Sequence, residues 1–158
     1  MEITKLIHNV CKMEKEFNGK LLVDSKYLDR DDNGYLYCNG EPFTGLKGFF
    51  RKDDTLSSYI EYVNSIPHGK SEAWYESGQK KKECYYAKGC VVGISNEWYE
   101  SGKLKKQVEE ESPTNYILKE WYESGQLKKE FHMKNLETFM RKEWDESGNL
   151  IKEYNSKV

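Results

Sequence analysis

Three kinds of side chain that could do chemistry recur in this chain at a fixed interval. Glu97, Glu120 and Glu143 each precede a tryptophan, Tyr75, Tyr99 and Tyr122 each follow one, and Lys81, Lys105 and Lys128 stand seven residues beyond it. A carboxylate beside a phenol and an ammonium could move protons. A catalytic group normally occurs once, however, and this set is copied from unit to unit, so the chain is expected not to be an enzyme. Copied Glu–Lys pairs are better suited to a sheet surface, where each is worth only ~0.2–1 kcal/mol. The other reactive residues are scattered. Cys11, Cys38, Cys84 and Cys90 form no CxxC pair, and His8, His68 and His132 complete no zinc spacing. No metal or cofactor is expected, and four reduced thiols are the simplest state.

The elements that must position these groups are written in the repeat itself. Residues 73–83 read AWYESGQKKKE, 97–107 EWYESGKLKKQ, 120–130 EWYESGQLKKE and 143–153 EWDESGNLIKE. Trp74, Trp98, Trp121 and Trp144 are spaced 24, 23 and 23 residues apart, and Phe50 with Leu56 marks a decayed earlier copy. Such a period means an array of identical supersecondary units. The flanks are too short for helices and rich in Trp, Tyr, Val and Phe, so each unit is predicted to be a β-hairpin turning at Ser-Gly. A three-residue loop, with Gly78, Gly102, Gly125 and Gly148 in the left-handed position, sets Trp121 opposite Leu127. A residue with a Cβ would cost roughly 1–2 kcal/mol there.

Strict alternation from that point sorts the faces. The tryptophan face collects Leu46, Lys70, Ile94, Ile117 and Met140, four residues before the aromatic, and Ile60, Cys84, Val108, Phe131 and Tyr154, ten after it. Lys70 and Lys80 interrupt these apolar columns in the second unit. The opposite, wet face collects Glu83, Gln107, Glu130 and Glu153 with the tyrosines, glutamates and lysines above. Its candidate partner-binding set is Tyr75, Tyr99, Tyr122, Glu97, Glu120, Lys105 and Lys128, because rigid aromatic area flanked by charge suits a specific interface.

Ahead of the array, Ile3, Leu6, Ile7, Val10, Met13 and Phe17 follow a spacing near 3.6 and predict an amphipathic helix stopped by Asn18-Gly19 and docked on the tryptophan face. Residues 29–34 read as a turn, 35–38 as a strand, and Asn39-Gly40 as a hairpin signal. The expected organisation is a helix and lead-in over 1–34 and a repeat domain over 35–158. The fold class is an all-β repeat array, with consecutive antiparallel hairpins of about 23–24 residues forming an elongated twisted sheet behind a short N-terminal α-helix.

A net charge of −2 gives no field for nucleic acid or anionic lipid. No apolar run is long enough for a signal peptide or a membrane span, so a cytoplasmic protein is expected. Charged residues at 33% alone would suggest disorder, but 14% aromatics in a periodic pattern argue for a folded chain.

The repeated Trp-Tyr-Glu-Ser-Gly-x-Leu-Lys-Lys-Glu, preceded by Tyr37-Cys38-Asn39-Gly40-Glu41-Pro42-Phe43-Thr44-Gly45, resembles bacterial MORN-repeat variant proteins, the group often called YwqK-family antitoxins. The resemblance runs from about residue 29 to 154. It implies sheets of consecutive hairpins and, for some members, an immunity protein that neutralises a cognate toxin by direct binding. The implied partner is then a protein, a toxin domain. A MORN-type scaffolding or lipid-surface-binding module is the alternative. The helix is too short to cover the whole apolar face, whose far end is expected to curl, form a homodimer or receive a partner. Tyr116 and Phe139 depart from the glycine that opens earlier units, and Asp145 replaces the tyrosine after the last Trp.

Overall fold

The computed structural model describes residues 14–156. Most of the expected N-terminal helix, residues 1–13, lies outside them. Its described end is a strand: β1 (Glu14–Phe17) pairs antiparallel with β2 (Lys20–Asp24) around Asn18 and Gly19, both at positive φ. Asn-Gly, read above as a helix stop, is equally a two-residue hairpin turn, and here pairing with β2 decides between them. No α-helix occurs among the described residues. A 3-10 turn at Ser25–Tyr27 leads into β3 (Asp29–Arg30), β4 (Leu36–Cys38) and β5 (Glu41–Pro42).

The array follows as β6 (Gly45–Phe50), β7 (Leu56–Val63), β8 (Ile66–Trp74), β9 (Lys80–Ala87), β10 (Cys90–Trp98), β11 (Leu104–Ser112), β12 (Asn115–Trp121), β13 (Leu127–Lys134), β14 (Glu137–Trp144) and β15 (Leu150–Asn155). These strands and the β1–β2 hairpin make one 12-stranded sheet, in the order β1-β2-β6 and then consecutively to β15, while β3, β4 and β5 form a separate three-stranded sheet. Among the described residues only β2 and β6 pair in parallel. The connection between them carries the small sheet.

The hairpin loops have the expected form. The Tyr122 amide donates to the Gln126 carbonyl at 2.9 Å, the Gly125 amide to the Tyr122 carbonyl at 2.9 Å, and Gly125 has φ +97°. Trp98, Trp121 and Trp144 accordingly face Leu104, Leu127 and Leu150. Beyond that pair the strict alternation fails. Glu120 stands opposite Lys129 rather than Lys128, Glu97 opposite Lys106, and Ala73 opposite Lys82. Each hairpin thus carries a second bulge, with Lys81, Lys105 or Lys128 as the extra residue in the middle units and Ser57 and Ile151 in the first and last. One inserted residue reverses the phase of everything after it.

Two columns therefore change face. Ile60, Cys84, Val108, Phe131 and Tyr154 pair with Lys47, Ser71, Ser95, Leu118 and Arg141 on the side away from the tryptophans. Glu83, Gln107, Glu130 and Glu153 move onto the tryptophan face. There Gln107 Nε2 donates to Asn96 Oδ1 at 2.9 Å, and Lys142 meets Glu153 at 3.1 Å. The move explains the interrupted second unit. Lys80 and Lys70 lie 2.7 and 2.9 Å from Glu72, and 2.7 and 3.1 Å from Glu83, all on the tryptophan face.

Glu72 is buried and also accepts from the Tyr59 hydroxyl at 2.7 Å. Burial works against its charge, but the Lys80 and Lys70 ammonium groups and the Tyr59 phenol outweigh it and bring its pKa from 4.5 to about 2. A depressed carboxylate pKa contributes stability above the unfolded value, and that stability is lost as pH falls through the folded one. Urea midpoints should accordingly fall between pH 4.5 and about 2, with a shallower fall in Glu72→Gln.

The core sits at the N-terminal end, on both sides of the sheet. On one side Val23, Leu36 and Phe43 pack together with Tyr62, joining the small sheet to the large one. On the tryptophan side Leu22, Leu46 and Tyr59 pack with Phe17, Phe50, Leu56 and Trp74. The Pro-Phe-Thr-Gly entry is the joint between the two. Phe43 is 1% exposed and its carbonyl accepts from the Ser65 amide at 2.8 Å, while Thr44 Oγ1 accepts from the Asn64 amide at 2.9 Å. Gly45 admits no side chain, since a Cβ would stand 2.7 Å from the Leu21 carbonyl oxygen. Past Cys84 no residue of the described chain is buried. Cys38 is disulfide-bonded and Cys84 and Cys90 are free, so the expectation of four reduced thiols fails at Cys38.

Candidate binding surface

The second bulge builds a surface that alternation hides. In the three middle units it sets two consecutive lysines on the side away from the tryptophans: Lys81 with Lys82, Lys105 with Lys106, Lys128 with Lys129. Lys105 lies 2.8 Å from Glu97 and holds that carboxyl below its ordinary range. Among the described residues Lys81, Lys82, Lys106, Lys128 and Lys129 make no ion pair. Lys81, Lys105 and Lys128 stand 5.3, 5.8 and 5.2 Å from the ring centres of Tyr75, Tyr99 and Tyr122, within cation–π range.

Of the seven residues singled out from the sequence, Glu97, Tyr99, Lys105, Glu120 and Lys128 share one cleft of about 250 Å³ with Lys106 and Trp121. Tyr75 belongs to the unit before and lies outside it, as does Tyr122. Lys106 was missed because strict alternation assigns it to the tryptophan face. The available signal was the pair Lys70 and Lys80, which stand in apolar columns and need carboxylates on their own face; Glu83 reaches that face only after a phase change.

The tyrosines have a second duty. Tyr75, Tyr99 and Tyr122 donate their hydroxyls to the carbonyls of Trp98, Trp121 and Trp144 at 2.7, 2.8 and 3.0 Å, each reaching the next unit. The bulge creates the need. Pairing between β13 and β14 begins at Lys129 and Glu143, which leaves Trp144 without a partner on β13. A half-buried carbonyl without a donor is costly, and the phenol of the previous unit supplies one. In the decayed first unit Arg51 takes the tyrosine's place, with Nη2 donating to the Trp74 carbonyl at 2.7 Å. At the corresponding position of the Trp144 unit, Asp145 accepts from the Asn149 amide at 2.8 Å.

The family described as MORN repeat variant matches residues 67–88, 91–109 and 117–135, the units of Trp74, Trp98 and Trp121. No curated protein matches the chain. The matched repeats mark a repeat-based binding or scaffolding module, in keeping with protein binding. Among the described residues no helix is long and apolar enough to cross a membrane.

Proposed function

We propose that this chain is a non-enzymatic protein-binding module, and that its concrete form is the immunity partner of a toxin, as the resemblance of its repeats implies. The supporting observation is the open array. From residue 85 to 156 the sheet has no buried side chain, while β10 to β15 present rows of Trp, Tyr, Lys and Glu held in fixed register. A rigid layer of this kind loses little freedom when a partner settles on it, and aromatic rings flanked by charge supply both area and specificity. The lysines without ion pairs also favour a second reading, attachment to an anionic lipid surface.

Co-expression with the product of the neighbouring gene, followed by gel filtration and a growth assay, tests the first reading. The expected result is a stable complex that relieves toxicity and weakens when Lys105 and Lys128 are both replaced by Glu. Binding to phosphatidylserine vesicles, with neither complex nor protection, would select the lipid reading instead.

A further inference from the structure

The repeat explains most of this chain, and the residues it does not explain gather in one place. The position five residues before the aromatic is Gly45, Gly69 and Gly93 in the first three units, all at positive φ. In the last two units it is Tyr116 and Phe139, neither at positive φ. Both aromatics line a cleft of about 550 Å³ at the return ends of β10 to β14, together with Ile94, Ile117 and Met133. Ile94 is 49% and Phe139 43% exposed. An apolar cavity of this volume is the usual size of a ligand or anchor pocket.

Its rim has one sign of charge. Glu109, Glu110 and Glu111 all line the cleft, and the irregular pairing between Glu110 and Ser112 places the third as an extra residue. Among the described residues none of the three makes an ion pair. Several other strand glutamates do: Glu97 with Lys105, Glu130 with Lys119, Glu143 with Arg141 and Glu153 with Lys142. Of the basic groups at the cleft, His132 is bonded to Glu130 at 3.0 Å, and only Lys134 stands against the three carboxylates.

We propose that this cleft docks a segment of a partner protein that inserts an apolar side chain between Tyr116 and Phe139 and sets adjacent Lys or Arg residues against Glu110 and Glu111. The inference rests on the protein-binding reading and names the chemistry of the segment bound. Apolar anchors seated in a pocket supply most of the affinity at such sites, and the surrounding charges set register and rate of encounter.

The test pans a random peptide display library against the full-length chain and titrates the enriched peptides. Phe139→Ala, a Glu110→Gln/Glu111→Gln double variant and Lys52→Gln serve as variants, each checked for unchanged circular dichroism. The expected peptides carry Leu, Phe or Trp beside Lys or Arg. Phe139→Ala should weaken them about tenfold or more. The double variant should weaken them and flatten their salt dependence, and Lys52→Gln, at the far end of the sheet, should leave them unchanged. Enriched peptides that are acidic, or that bind both cleft variants like wild type, overturn the cleft while leaving the protein-binding reading standing. A chain that enriches no peptide and binds only phosphatidylserine vesicles or single-stranded DNA overturns both.

Discussion

Phe43→Ala is expected to cost ~3–5 kcal/mol, the largest loss from any single substitution in this chain. Phe43 is among the largest fully buried side chains and packs against Val23, Leu36 and the Tyr62 ring, 6.1 Å away. Removing it opens a cavity at the joint between the two sheets and loosens the main-chain bond that ties residues 43 and 65 together. Trp121→Ala should cost less, about 1–3 kcal/mol, because that ring is only half-buried and loses correspondingly less area. Urea melts followed by circular dichroism give the ranking. Equal losses at the two sites would mean that the repeat end is as well packed as the N-terminal end.

Tyr99→Phe and Tyr122→Phe come next, at about 1–3 kcal/mol each. The change keeps the ring and its lysine neighbour and deletes only the donor to the next unit's Trp carbonyl, so it isolates the clasp between units. In an array stabilised by nearest-neighbour interfaces, a broken clasp lowers the cooperativity of the melt as well as its midpoint. Melting curves that match wild type would show that water satisfies those carbonyls equally well. The consequence for function is practical. A Tyr→Ala variant changes stability and surface together, so binding at this face is better read from Lys105 and Lys128.

Much of this was legible in the residues. The Trp-to-Gly offset fixes the loop, and the loop fixes which residues open each hairpin. The second bulge was not legible, because an inserted residue in a strand leaves no turn signal such as Gly or Pro; Leu-Lys-Lys-Glu reads as plain alternation. With it went the face of Phe131 and Glu130 and the pairing of the lysines into one row. At the N-terminus the apolar spacing favoured a helix, yet Glu14–Phe17 is a strand, since Asn18-Gly19 serves a hairpin as readily as a helix stop and β2 is there to pair. From the residues alone the tyrosine row reads as a surface. Its structural duty follows from a carbonyl left open by the bulge, so missing the one meant missing the other.

Native-state hydrogen exchange on the isolated chain tests the open array most directly. Amides report the stability of the unit they belong to, and uncovered strands open more readily than those over a core. Protection is expected to be highest in β2, β6 and β7, around Val23, Leu46 and Tyr59, and to fall through β10 to its lowest value in β15. Slow exchange through β13, β14 and β15, equal to that of β6, would contradict it, because it would require a covering layer over the surfaces assigned here to a partner.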